Sequence, residues 1–163
     1  MKNDLQKEGV RMKALVLSDS HKNFNSIRRA VEREPDADLL IHAGDVQRDV
    51  DDILDAWPEL PCEYVLGNND FCVTGVPSQR LFEFGGKRIF LTHGHMYRVK
   101  SSTARLVQKA RAMGADICIF GHTHLPCLEE QDGIWVLNPG TAWRSYATIE
   151  ITDGEVSIQI KDN

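Results

Sequence analysis

Short apolar runs recur along this chain, and five of them stop on a polar loop that carries Asp, His or Asn. Ala14-Leu15-Val16-Leu17 reads as a buried strand running into Ser18-Asp19-Ser20-His21. Asn25 then stands where a helix N-cap belongs, with Ile27, Ala30 and Val31 on one face and an end near Pro35. The unit repeats when Leu39-Leu40-Ile41-His42 leads into Ala43-Gly44-Asp45. Val50, Ile53, Leu54 and Trp57, spaced by three and four, predict a second helix that stops at Pro58. Tyr64-Val65-Leu66 is a third strand, ending at Gly67-Asn68-Asn69-Asp70, and the stretch from there to about Ser78 reads as loop.

Arg80 to Phe84 and Arg88 to Leu91 flank Gly85-Gly86, a hairpin signal, and the second strand ends at Thr92-His93-Gly94-His95. Ser101 to Met113 predicts a helix with Thr103, Leu106, Val107, Ala110 and Met113 inward, and Gly114 sits where a C-terminal cap belongs. Ile117-Cys118-Ile119-Phe120 is the next strand, running into Gly121-His122-Thr123-His124. After it the alternation with helices stops. Pro126 to Gln131 and Ile134 to Leu137 flank Asp132-Gly133, Ala147 to Ile151 and Val156 to Ile160 flank Asp153-Gly154, and Asn138-Pro139-Gly140-Thr141 joins these two hairpins. Residues 1–11 are polar and without period, a flexible tail, and residues 12–163 form a single domain. The fold class is α/β, with two packed mixed β-sheets flanked by helices.

Composition narrows the function classes. A chain of 163 residues buries a core without staples. Its net charge of −5 argues against a general nucleic-acid or membrane-surface binder, either of which needs a basic face. Cys62, Cys72, Cys118 and Cys127 show no C-x-x-C pairing and read as reduced thiols of a cytoplasmic protein. No apolar run reaches membrane-spanning length, and no signal-peptide stretch opens the chain.

Set side by side, the strand ends offer Asp19 and His21, Asp45, Asn68, His93, and His122 and His124. In open α/β sheets the carboxyl ends of the strands border one crevice, so these residues converge despite their distance in sequence. Two carboxylates, four imidazoles and an amide oxygen exceed what one ion takes, whereas two ions sharing a carboxylate use them all. Two divalent cations also make the pocket positive although the chain is acidic, which suits a phosphate ester. Ions ~3.5–4 Å apart hold a hydroxide and clamp phosphoryl oxygens during in-line displacement. The metal is open from the ligand set: manganese is favoured, with nickel, cobalt, iron or zinc as alternatives.

This order of motifs resembles the calcineurin-like metallophosphoesterase family, and among its members the compact prokaryotic phosphodiesterases. The residues that carry the likeness are Asp19-Ser20-His21, Gly44-Asp45, Gly67-Asn68-Asn69-Asp70, His93-Gly94-His95 and Gly121-His122-Thr123-His124, covering Leu15 to about Arg144. The resemblance implies a four-layer αββα sandwich. It also implies one metal held by Asp19, His21, Asp45 and His124 and another by Asp45, Asn68, His93 and His122. Asp45, Asn69 and His95 are the catalytic candidates, and Asn69 and His95 also the substrate-binding ones for a small phosphate ester, with His95 read either as a support for the ligands or as a direct phosphate contact.

One position departs from the family pattern. Many members carry histidine where this chain has Asn69, and an amide donates a hydrogen bond but is no general acid near neutral pH. His42 reads as a core or supporting histidine, Asp70 as a residue that orients its loop, and Arg144 as a surface salt-bridge partner. The alternative function is a protein-interaction scaffold on the same fold with little turnover. Oligomeric state is left open.

Overall fold

The computed structural model describes residues 9–46, 49–71 and 73–163. Most of the expected tail, and Cys72, lie outside them. The apolar runs form ten strands, and the amphipathic segments form three helices, among the described residues. The strands are β1 Arg11–Leu17, β2 Leu39–His42, β3 Cys62–Tyr64, β4 Gln79–Phe84, β5 Lys87–Thr92, β6 Ile117–Ile119, β7 Cys127–Gln131, β8 Ile134–Asn138, β9 Ser145–Thr152 and β10 Glu155–Asp162. The helices are α1 Phe24–Arg33, α2 Asp49–Ala56 and α3 Ala104–Ala112.

Two mixed sheets result, in the orders β10-β9-β1-β2-β3 and β4-β5-β6-β8-β7. The parallel pairs are β1 with β2 and β2 with β3, running out to the edge of the first sheet, and β5 with β6 and β6 with β8 at the centre of the second. Alternation along the strands assigns their faces. Ala14, Val16 and Ile41 of one sheet meet Ile89, Leu91, Ile117 and Ile119 of the other in the central core. Leu15, Leu17 and Leu40 point the opposite way, onto Ile27, Ala30 and Ile53 of α1 and α2. Phe90, Cys118 and Val136 pack on Leu106, Val107 and Ala110 of α3. Helices, sheet, sheet and helix therefore stack as the expected four layers.

Local differences have local causes. The N-cap of α1 is Asn23, whose Oδ1 accepts from Ser26 N at 3.2 Å, and the expected cap Asn25 lies inside the helix. β3 pairs through Cys62 to Tyr64, starting two residues before the expected run; Val65 N still donates to His42 O at 3.3 Å, but Leu66 N turns away to Pro77 O at 3.0 Å. Arg11, expected in the tail, pairs with Thr152 at the start of β1. Leu54 stays 43% exposed while Val50 and Ile53 are buried. Cys62, Cys118 and Cys127 are free thiols, and burial pushes the first two up to about 12. No helix among the described residues is long and apolar enough to cross a membrane.

A buried ionic cluster ties the first sheet to the end of α1. Glu34 accepts from Lys161 Nζ at 2.7 Å and Tyr146 OH at 2.8 Å, and Lys13 Nζ lies 2.5 Å from its other oxygen. Burial pushes the Glu34 carboxyl up, but Lys13, Lys161 and Tyr146 outweigh it and hold it below its ordinary value. A carboxyl with a lowered folded pKa contributes stability above its unfolded pKa and loses it as pH falls through the folded one. Glu34→Gln is therefore expected to unfold at lower urea than the parent at pH 7, by ~3 kcal/mol, with the gap closing below about pH 4. A gap that stayed constant with pH would count against this account.

Candidate metal centre

The parallel strands of both sheets end at one edge, and the loops that follow are stitched together there by backbone hydrogen bonds. Ala43 N donates to Leu17 O at 2.9 Å, Asp19 N to Gly44 O at 3.0 Å and His21 N to Asp45 O at 3.2 Å. In the second sheet, Gly121 N donates to His93 O at 3.0 Å. Five of the seven expected ligands, Asp19, His21, Asp45, His122 and His124, take left-handed backbone conformations with φ between 46° and 67°. Asp and His tolerate that region better than bulky or β-branched residues. It turns each side chain off the strand axis into a shared pocket.

Two glycines permit the approach. Gly44 has φ +101°, and a Cβ there would lie 2.8 Å from both Gly67 N and His93 Nδ1. A Cβ on Gly67 would lie 2.0 Å from Asp45 Oδ1. Only a bare backbone fits at either position.

All seven expected ligands come together. Asp19, His21 and His124 each present one donor atom within 4.8 Å of the others, and so do Asp19, Asp45 and His93. Asp19 Oδ1 lies 3.2 Å from His124 Nε2, 3.6 Å from His21 Nε2 and 3.9 Å from His93 Nε2. Asp45 Oδ2 lies 3.5 Å from His93 Nε2 and 3.8 Å from His21 Nε2, so both carboxylates stand between the groups. Asn68 Oδ1 is 2.9 Å from His93 Nε2 and 2.9 Å from His122 Nδ1.

The donor set fits a cation. Asp19 Oδ1 is buried and has no hydrogen-bond partner. His93 Nδ1 lies 2.8 Å from the Ala43 carbonyl, which only accepts, so Nδ1 carries a hydrogen and Nε2, beside Asn68 Oδ1 and the two carboxylates, is the nitrogen that would give its lone pair to a cation. Lone pairs that converge on one another in a buried pocket repel unless a positive charge sits among them. Burial pushes Asp45 up, but His93, the Asn69 hydrogen bonds and His21 outweigh it and keep its carboxyl below the ordinary range.

The surrounding groups hold this set in place. Asp70 orients its loop as expected: Oδ2 accepts from Asp45 N at 2.8 Å and Gly67 N at 2.7 Å. His42 is buried and pushed down to about 3, by burial first and then by His93. It accepts from Gly44 N at 3.2 Å, which leaves Nε2–H for Ser20 Oγ at 3.1 Å, and Ser20 donates to Asp49 at 2.8 Å. Asn69 N and Nδ2 donate to the two Asp45 oxygens at 3.0 and 2.9 Å. His95 is half-buried beside His93 and His122, with Nδ1 unpartnered, and burial followed by His93 lowers its pKa. Arg144 lies over the ring of its neighbour Trp143, 5.3 Å from the centroid, rather than in the expected salt bridge.

Two supporting residues escape a reading of the sequence. Ser18 Oγ donates to Asp19 Oδ2 at 2.6 Å. Asn138 donates to Gly121 O at 3.0 Å and Thr123 Oγ1 at 2.9 Å, fixing the His122–His124 turn. Asn138 stood out in the sequence as the first residue of the Asn138-Pro139-Gly140-Thr141 connection, but nothing there pointed to its hold on the histidine turn.

A family model described as the calcineurin-like phosphoesterase superfamily domain matches residues 12–157. The chain belongs to this superfamily. The probable metallophosphoesterase YsnB of Bacillus subtilis is 29% identical over 160 residues, covering 93% of this chain and 91% of its own. A phosphodiesterase of Methanocaldococcus jannaschii is 27% identical over 146 residues, covering 79% and 83%. A conserved Streptococcus pneumoniae protein described as a predicted phosphoesterase has a solved structure with a TM-score of 0.80 to this one. It is 28% identical, covering 94% of this chain and 90% of its own.

Membership in this superfamily implies divalent-metal use. Gly67→Ala is accordingly expected to push the Asp45 carboxylate aside and weaken manganese binding at least ~10-fold, about 1.4 kcal/mol. Calorimetric titration checks the affinity and circular dichroism checks that the variant is folded. Unchanged affinity in a folded variant would refute the close-approach argument.

Proposed function

We propose that this chain is a phosphodiesterase working with two divalent cations, manganese by preference. Asp19, His21, Asp45 and His124 would hold one, and Asp45, Asn68, His93 and His122 the other. The observation that carries this reading is the convergence of Asp19 Oδ1, with no hydrogen bond of its own, on three imidazole nitrogens beside the pair of imidazoles that share Asn68 Oδ1. When bound, the cations supply Lewis acidity toward the phosphoryl oxygens and lower the pKa of the attacking water.

The chain's own residues orient the reacting groups. Asn69, by donating both its N–H groups to Asp45, holds that carboxylate in one rotamer. Its amide supplies no proton to a departing oxygen, so the enzyme depends on leaving groups that depart as stable anions. His95, at the edge of the same pocket, is placed to donate a hydrogen bond to a phosphoryl oxygen. The net charge of −5 favours a small ester over a polyanion, because attraction is confined to the centre. A scaffold without turnover is disfavoured, since all seven donors are present and gathered.

Stripping metal should abolish hydrolysis of an aryl phosphodiester, and adding back manganese should restore it, with Asp45→Ala slower by at least ~100-fold. Activity that survived chelation, or survived Asp45→Ala, would refute the reading. Aryl diesters should outpace the matching alkyl diesters, and Asn69→His should narrow that difference by ~10-fold. Equal rates unaffected by Asn69→His would show that the amide is not what limits the reaction.

A further inference from the structure

A cleft of about 720 Å³ opens directly beside the metal centre, sharing Asn69 with it and reaching Lys22, the residue after His21. Its aromatic lining comes from Phe24 and Phe71, on separate segments. Phe24 is fixed by stacking on Trp57, with ring centroids 5.7 Å apart and planes 26° from parallel. Phe71 is 77% exposed and stands outside the core clusters of the described residues, while it also borders a second hollow lined by Val46, Val50 and Leu66. A single exposed Phe means little. One that borders a cleft with a second, anchored ring supplies a surface for a flat ligand.

The polar lining restricts that ligand further. Asp49 is held in place by Ser20 Oγ at 2.8 Å and Lys22 N at 3.1 Å, and the exposed Asp52 follows three residues later on α2. Among the described lining residues, Lys22 is the one cation against these two carboxylates. Carboxylates accept from N–H and O–H donors and repel a second phosphate.

We propose that this cleft is the subsite for one ester arm of the substrate, and that it takes a flat aromatic group bearing hydrogen-bond donors and no further phosphate, the chemistry of a nucleoside. The inference rests on the phosphodiesterase reading for the position of the phosphate. It adds which arm chemistry the site selects.

The test compares p-nitrophenyl thymidine monophosphate with methyl p-nitrophenyl phosphate on manganese-loaded protein, and titrates adenosine by saturation-transfer NMR. The parent is expected to prefer the nucleoside ester in kcat/KM. Phe71→Ala should cut the ratio of the two kcat/KM values by about tenfold, and Phe71→Trp should restore it. Adenosine should bind saturably to the parent and more weakly to Phe71→Ala. A ratio unmoved by Phe71→Ala would overturn the subsite. If neither diester is hydrolysed, the phosphodiesterase reading fails and adenosine decides this one separately: saturable binding lost in Phe71→Ala supports the subsite, and no saturable binding overturns it.

Discussion

Two carboxylates buried side by side at the seam of a β-sandwich are the constraint that the rest of this molecule answers to. Asp19 and Asp45 are almost wholly removed from water, and an uncompensated buried charge is among the costliest features a fold can carry. Part of that cost is offset by short neutral hydrogen bonds. Ser18 and the His122 N–H serve Asp19, and Asn69 serves Asp45. The one oxygen left over, Asp19 Oδ1, faces imidazoles. Strained backbone at five of the expected ligands, each costing on the order of 1 kcal/mol or more, is held in place by strands whose ladders continue into the loops.

Around this centre the polar groups are arranged by reach. Asp70 draws together the loops that carry Asp45 and Asn68, by accepting from backbone N–H groups of both. The His42–Ser20–Asp49 chain does the same for the Asp19–His21 loop and α2, through a neutral imidazole whose tautomer is set by the Gly44 N–H. Asn138 secures the histidine turn from the second sheet. A chemically demanding site thus sits on supports that are hydrogen-bonded to one another and to the loops they hold.

Much of this was legible in the order of residues. A strand that must end on a ligand shows itself as an apolar run stopping at Gly-Asp or Gly-His, and β2 falls where that pattern puts it. Edge strands are harder: β3 is half-buried, so its pattern at Cys62 to Tyr64 blends into the Val65-Leu66 run that follows it. The cap of α1 moved to Asn23 because two asparagines lie within reach of the same turn, and only geometry decides which bonds Ser26 N. The strand orders of the sheets, the short 3₁₀ turn at His95–Tyr97 and the role of Asn138 depend on contacts between distant segments. No local pattern encodes those.

The expected ligand set is divided between the layers. Asp19, His21, Asp45 and Asn68 follow strands of the first sheet, whereas His93, His122 and His124 follow strands of the second. The central core between them is mostly aliphatic and nearly non-directional, so by itself it tolerates a small slip of one sheet over the other better than hydrogen bonds would. An ion held by donors of both groups would act as a rivet through the sandwich, binding only the aligned register and drawing the whole population toward it by mass action. Occupancy of such a centre and alignment of the layers would then be one equilibrium, read from two ends.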